Sequence, residues 1–167
     1  MRRILFIIVF LSLSQATFGQ ITKYKGLFIF KFLQSMEWPQ SKSSEVYVVS
    51  IMGDPALLSQ LKNITAERQV NGRSIKILPY SKNQSLQDIN ILFISKNKAK
   101  NFEALKDEAL TNSIVLITES DGLAEAGASI NFKMLDERLN FDLNQTSFKK
   151  ANVVVSEAIK KLATLVE

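Results

Sequence analysis

A chain of 167 residues with 21 Lys and Arg against 16 Asp and Glu carries a net charge of +5, too small and too evenly spread to argue for a nucleic-acid partner. It contains no His and no Cys, which removes the usual ligands of zinc, copper and haem, the commonest general base and any disulfide. With 46% hydrophobic residues, a chain of this length can be held by an apolar core alone. No cofactor, no metal and no catalytic apparatus are expected.

The first nineteen residues read as an export signal. Arg2 and Arg3 precede the apolar run Ile4 to Leu13, and Ala16, Thr17, Phe18 and Gly19 form a small-residue exit. The run is about ten residues, against the roughly 20 that a helix needs to cross a bilayer. Thr17 and Gly19 place cleavage between Gly19 and Gln20, and no Cys follows to take a lipid. Removing residues 1–19, with Arg2 and Arg3, leaves 148 residues at net +3, expected to be a single soluble exported domain over residues 20–167.

Residues 22–36, with Tyr24, Leu27, Phe28, Phe32 and Met36 near helical spacing, predict an aromatic-rich helix stopped by Trp38-Pro39. Val46 to Met52 is a β-branched run of the kind buried on both faces of a sheet. Gly53 turns the chain, Asp54 suits the N-cap and Pro55 the first position of a helix reaching about Lys62. Asn71-Gly72 predicts a turn before a strand from Ser74 to Leu78. Ile89 to Ser95 and Ser113 to Thr118 predict two more buried strands around a helix from Asn101 to Leu110.

Ala128 to Met134 and Arg138 to Leu143 alternate apolar with polar and predict an antiparallel hairpin, with Ile130 and Phe132 opposite Leu143 and Phe141. Residues 145–165, through Phe148, Val155, Ile159, Leu162 and the following Val166, predict a long amphipathic C-terminal helix. Together these elements make an α/β chain: a three-layer α/β/α arrangement with a mostly parallel mixed sheet, a C-terminal β-hairpin and that long helix.

Motifs for chemistry are weak. Gly53-Asp54-Pro55 lacks the three glycines of a dinucleotide fingerprint and the Gly-Lys-Ser/Thr of a P-loop, and Asp54 repels an anion. Glu119, Asp121 and Glu125 around Gly122 lack the twelve-residue spacing of a calcium loop and read as a solvated connection. No Ser-x-x-Lys opens a helix. Lys96, Lys98 and Lys100 have no interleaved aromatic residues and read as a solvated loop. Trp38, the single Trp, is either a core cap or a partner anchor.

Five short motifs in order carry a likeness: Glu37-Trp38-Pro39, Gly53-Asp54-Pro55, Val70-Asn71-Gly72-Arg73, Gly127-Ala128-Ser129-Ile130-Asn131-Phe132 and Leu139-Asn140-Phe141-Asp142-Leu143-Asn144. From Tyr24 to Ala163 the chain resembles the YfiR-like family of bacterial exported proteins. That resemblance implies a periplasmic regulator, since the family's namesake restrains a membrane diguanylate cyclase from the periplasmic side and forms dimers. The namesake's redox sensitivity does not carry over to a chain without Cys. Two further departures are Gly127-Ala128-Ser129, where the family usually has Gly-Gly, and Val153-Val154-Val155, where its last helix is usually leucine-rich.

The expectation is therefore a non-enzymatic periplasmic regulatory module, contacting a membrane signalling protein of diguanylate cyclase or sensor kinase type and forming a homodimer. The alternative is a periplasmic small-molecule-binding protein, with its ligand at the strand-end turns of Gly53 and Gly122. An enzymatic reading rests only on Asp54 and the acids near Asp121, and needs a deep pocket. The candidate interface or ligand-facing residues are Tyr24, Phe28, Trp38, Gly53, Asp54, Gly127 and Asn131.

Overall fold

The computed structural model describes residues 19–42 and 44–167; apart from Gly19, the expected signal peptide lies outside them. Helix α1 covers residues 19–34. Its 3.6-residue period puts residues 20, 23, 24, 27, 31 and 34 on an exposed stripe, and Gly26, Ile29, Phe30 and Leu33 on the buried side. The absence of a side chain at Gly26 lets α1 approach its neighbour: a β-carbon there would lie 2.8 Å from Ile64 Cδ1. The helix ends two residues earlier than its spacing predicts, because β1 (Met36–Glu37) pairs antiparallel with a strand late in the chain.

The β-branched run Val46–Met52 forms β2, and Pro55–Thr65 forms α2. The predicted cap is present, with Asp54 Oδ1 accepting from Leu57 N at 2.9 Å. A short hairpin follows, β3 (Gln69–Val70) and β4 (Arg73–Pro79), turning at Asn71 and Gly72 with positive φ at both, as a type I′ turn requires. Next come β5 (Ile91–Ile94), α3 (Phe102–Thr111), β6 (Val115–Thr118), β7 (Ile130–Leu135) and β8 (Arg138–Asn144). The hairpin register is the expected one, Ile130 opposite Leu143 and Phe132 opposite Phe141.

The long C-terminal helix does not form. Residues 145–166 divide into α4 (Gln145–Lys150), β9 (Val154–Val155), α5 (Glu157–Lys160) and β10 (Thr164–Val166). Asn152 takes φ of 52°, Val153 N donates to Phe148 O and Asn152 N to Lys149 O, both at 3.1 Å. This left-handed cap closes α4 and brings buried Val153 towards buried Phe148. The β-branched Val154 and Val155 then pair with Glu37 and Met36.

The main sheet has eight strands in the order β10-β8-β7-β6-β5-β2-β4-β3, parallel throughout except for the β7–β8 and β3–β4 hairpins. One face (Val49, Ile51, Phe93, Ile117, Phe132, Phe141) packs under α1 and α2 through Phe32, Leu33, Leu57 and Leu61, and Phe148 and Ile159 join the same cluster. The other face (Met52, Leu92, Ile94, Leu116) packs on α3 through Phe102 and Ala109. This is the expected α/β/α layering, with α2 and α3 leaving the central β2–β5 pair on opposite faces.

Candidate functional site

In a sheet of this kind the crevice at the carboxyl ends of diverging central strands is the usual ligand position. Here protein fills it. Gly53, at φ of 88°, follows β2, and a β-carbon there would collide with Ser95 Oγ and lie 2.6 Å from Asn97 Oδ1. Ser95 Oγ donates to Asn97 Oδ1 at 2.6 Å, and Asn97 Nδ2 donates to Gly53 O at 3.3 Å. Asp54 beside it is committed to the cap of α2. Gly53 and Asp54 therefore serve the turn.

The next strand end is braced in a similar way. Asn131, 3% exposed, accepts from Thr118 Oγ1 at 2.7 Å and from Ser120 N at 3.1 Å. Its amide clamps the short β6–β7 pair to the turn after β6. Glu119, on that turn, accepts from Lys96 N at 3.0 Å and pairs with Lys25 of α1. Gly127 lies ahead of β7, where its carbonyl accepts from Ser147 Oγ at 2.9 Å. Gly122 and Asp121 are exposed in the same connection.

Trp38 stands apart, half-buried, with its ring 5.5 Å from that of Tyr47, over which Arg73 also lies. This is a core-capping position near the start of β2. Close by, a cleft of about 490 Å³ is lined by Lys42, Val46, Lys76, Gln84, Asp88 and Asn90. Lys42 Nζ donates to Gln87 O at 2.6 Å and Asn112 O at 2.7 Å. Burial pushes its ammonium down to about 8, opposed by the nearby negative charge of Asp88.

Tyr24 and Phe28 are the two candidates that the structure brings together. They line a groove of about 1060 Å³ between the start of α1 and the end of the β7–β8 hairpin. Its floor is an aromatic cluster: the Phe28 ring lies 5.5 Å from Phe141 and 6.2 Å from Phe132, and Phe32 packs beneath both. Sequence reasoning missed the opposite wall, Met134 and Leu139, and the rim residues Gln20, Glu137 and Arg138. The signal was available, since Met134 continues the inward face of Ile130 and Phe132, and Leu139 that of Phe141 and Leu143. Both run past the cover that α1 provides.

Exposed large apolar side chains gather in two places. Tyr24, Leu27, Met134 and Leu135 lie on α1 and the hairpin tip; Val154, Leu162 and Leu165 lie on β9, after α5 and on β10. β10 is an edge strand, paired on one side only with the end of β8 remote from the hairpin tip. Among the described residues no group of three or more acids could hold a metal ion, and no helix is long and apolar enough to cross a membrane.

Compared with known proteins, residues 22–164 match the sequence profile of the YfiR/HmsC-like family. No curated protein matches the chain. Among solved structures, the crystal structure of a conserved domain protein from Vibrio cholerae O1 biovar eltor strain N16961 is similar, with a TM-score of 0.59 at 12% identity. The match covers 87% of this chain and 60% of that one, so the chain spans about three fifths of that protein's length. At such identity the likeness is one of fold.

Proposed function

Since the chain belongs to the YfiR/HmsC-like family, we propose that it is an exported regulator acting by protein contact on a membrane signalling protein of diguanylate cyclase or sensor kinase type. Residues 1–19 are its cleavable signal, cut between Gly19 and Gln20, and residues 20–167 its single periplasmic domain. It works without catalysis and as a homodimer. The observation that carries this reading is the family match over residues 22–164. It is supported by the leader pattern of Arg2, Arg3 and Ile4 to Leu13, and by a chain without His or Cys.

For the partner's contact we propose the C-terminal edge. There β10 offers one unpaired side to an incoming strand, beside exposed Leu162 and Leu165. Two measurements test this. Deleting the gene should change cyclic di-GMP or kinase output, and a photo-crosslinker at Leu165 should capture a membrane protein in living cells. An unchanged output together with no membrane protein captured would overturn the proposal.

A further inference from the structure

The outer surface of α1 and the hairpin tip combine apolar and basic side chains. Residues 19–34 contain three lysines and no acid. Lys25 is held by Glu119 on one flank, whereas Lys23 and Lys31 lie on the exposed stripe with Tyr24 and Leu27 between them. Across the groove stand Met134 and Arg138, and Leu135 follows Met134 at the tip. Three of the seven large apolar side chains exposed among the described residues, Tyr24, Leu27 and Met134, are on this surface, with Tyr24 46% and Met134 50% exposed.

We propose that this surface rests on an anionic lipid bilayer. Tyr24, Leu27 and Met134 enter the boundary between headgroups and acyl chains, and Lys23, Lys31 and Arg138 meet lipid phosphates. The composition favours lipid over a protein partner. Protein interfaces are depleted in Lys, whereas a helix with apolar residues flanked by lysines is the pattern of an interfacial helix, the long lysine stems carrying their charge up to the phosphates. Tyr suits the same depth, with an apolar ring and a polar tip. The acids of the tip, Asp136 and Glu137, occupy the two-residue turn, where Glu137 shares the groove rim with Arg138 and offsets part of its charge, which leaves Lys23 and Lys31 as the main cations of the surface.

The contact is independent of the signalling partner, so its test is separate from the one above. Protein recovered from exporting cells, its N-terminus read by mass spectrometry, is sedimented with vesicles of phosphatidylglycerol in phosphatidylcholine and with pure phosphatidylcholine. The expected result is attachment to the anionic vesicles alone, weakening as salt is raised. Each surface cation strengthens such attachment about fivefold, so Lys23→Glu with Lys31→Glu should weaken it by at least about tenfold. Tyr24→Ser with Met134→Ser should weaken it also, whereas Leu165→Ser, on the other apolar patch, should not. Circular dichroism checks that these surface variants stay folded. No attachment by the wild type, equal attachment to neutral vesicles, or full retention by both double variants would each overturn the proposal. So would a photo-crosslinker at position 24 that captures protein and no lipid in cells.

Discussion

The parallel and antiparallel halves of the sheet end their strands differently. In the parallel half, β2 stops at Gly53, and Ser95, Asn97 and Lys98 close over the space a side chain would need. In the antiparallel half, the β7–β8 hairpin turns on Asp136 and Glu137 with φ of 49° and 60° and no glycine. The Asn71-Gly72 turn meets the same geometric demand with residues that type I′ favours. Beside the hairpin turn, Met134 and Leu139 reach beyond their helical cover. One half spends its loop residues on internal order. The other keeps local strain and apolar exposure, which stability alone does not require and which mark a surface with a use.

The largest test removes an aromatic ring from the core beneath the antiparallel half. Phe32 is fully buried, stacked with Phe132 and edge-on to Phe141, so Phe32→Ala should cost about 3–5 kcal/mol in urea unfolding. Next is the filled turn: Gly53→Ala should cost about 2–4 kcal/mol from φ and the collision together. Gly122→Ala, also at positive φ but in open space, should cost about 1 kcal/mol. Similar values for the two glycines would show that the Gly53 turn is not close-packed. Asn131→Ala should cost about 1–3 kcal/mol by taking the acceptor from Ser120 N and leaving Thr118 Oγ1 only its long bond to Ile130 O at 3.5 Å.

A smaller change has the opposite sign. Glu137→Gly should stabilise the protein by up to about 1 kcal/mol, because glycine accepts the left-handed conformation without strain. A loss of stability would show that the tip is not strained. The gentlest test varies pH at the other end of the parallel half. The Lys42 ammonium titrates at about 8 in the folded chain against 10.5 ordinarily. Between these values the unfolded chain holds the proton that the folded chain has released, so stability should rise with pH across that window. Lys42→Met should remove that rise from a series of thermal melts.

Much of the fold was legible because its signals are local. The β-branched run of β2, the Asp54 cap and the Phe132–Phe141 register follow from residue type and spacing within a few positions. The C-terminal segment misled because Phe148, Val155 and Ile159 are buried by three separate short elements, and their near-helical spacing comes from no single helix. Asn152 before three valines was the overlooked cue. For the groove, the aromatic pattern disclosed Tyr24 and Phe28, whereas Met134, Leu139 and Arg138 depend on where α1 stops covering the hairpin. That is set by long-range packing, which short-range periodicity does not encode.

Two attachments of α1 constrain how it can move. Gly26 sits against Ile64 of α2, and the adjacent Lys25 is anchored by Glu119. Close contact on one side and an ionic tether on another block rolling about the helix axis, so the azimuth of the outer stripe is set before anything lands on it. A landing ligand then has no helix to reorient, and what it presses against is the ring cluster directly beneath α1, Phe28 and Phe32 on Phe132 and Phe141.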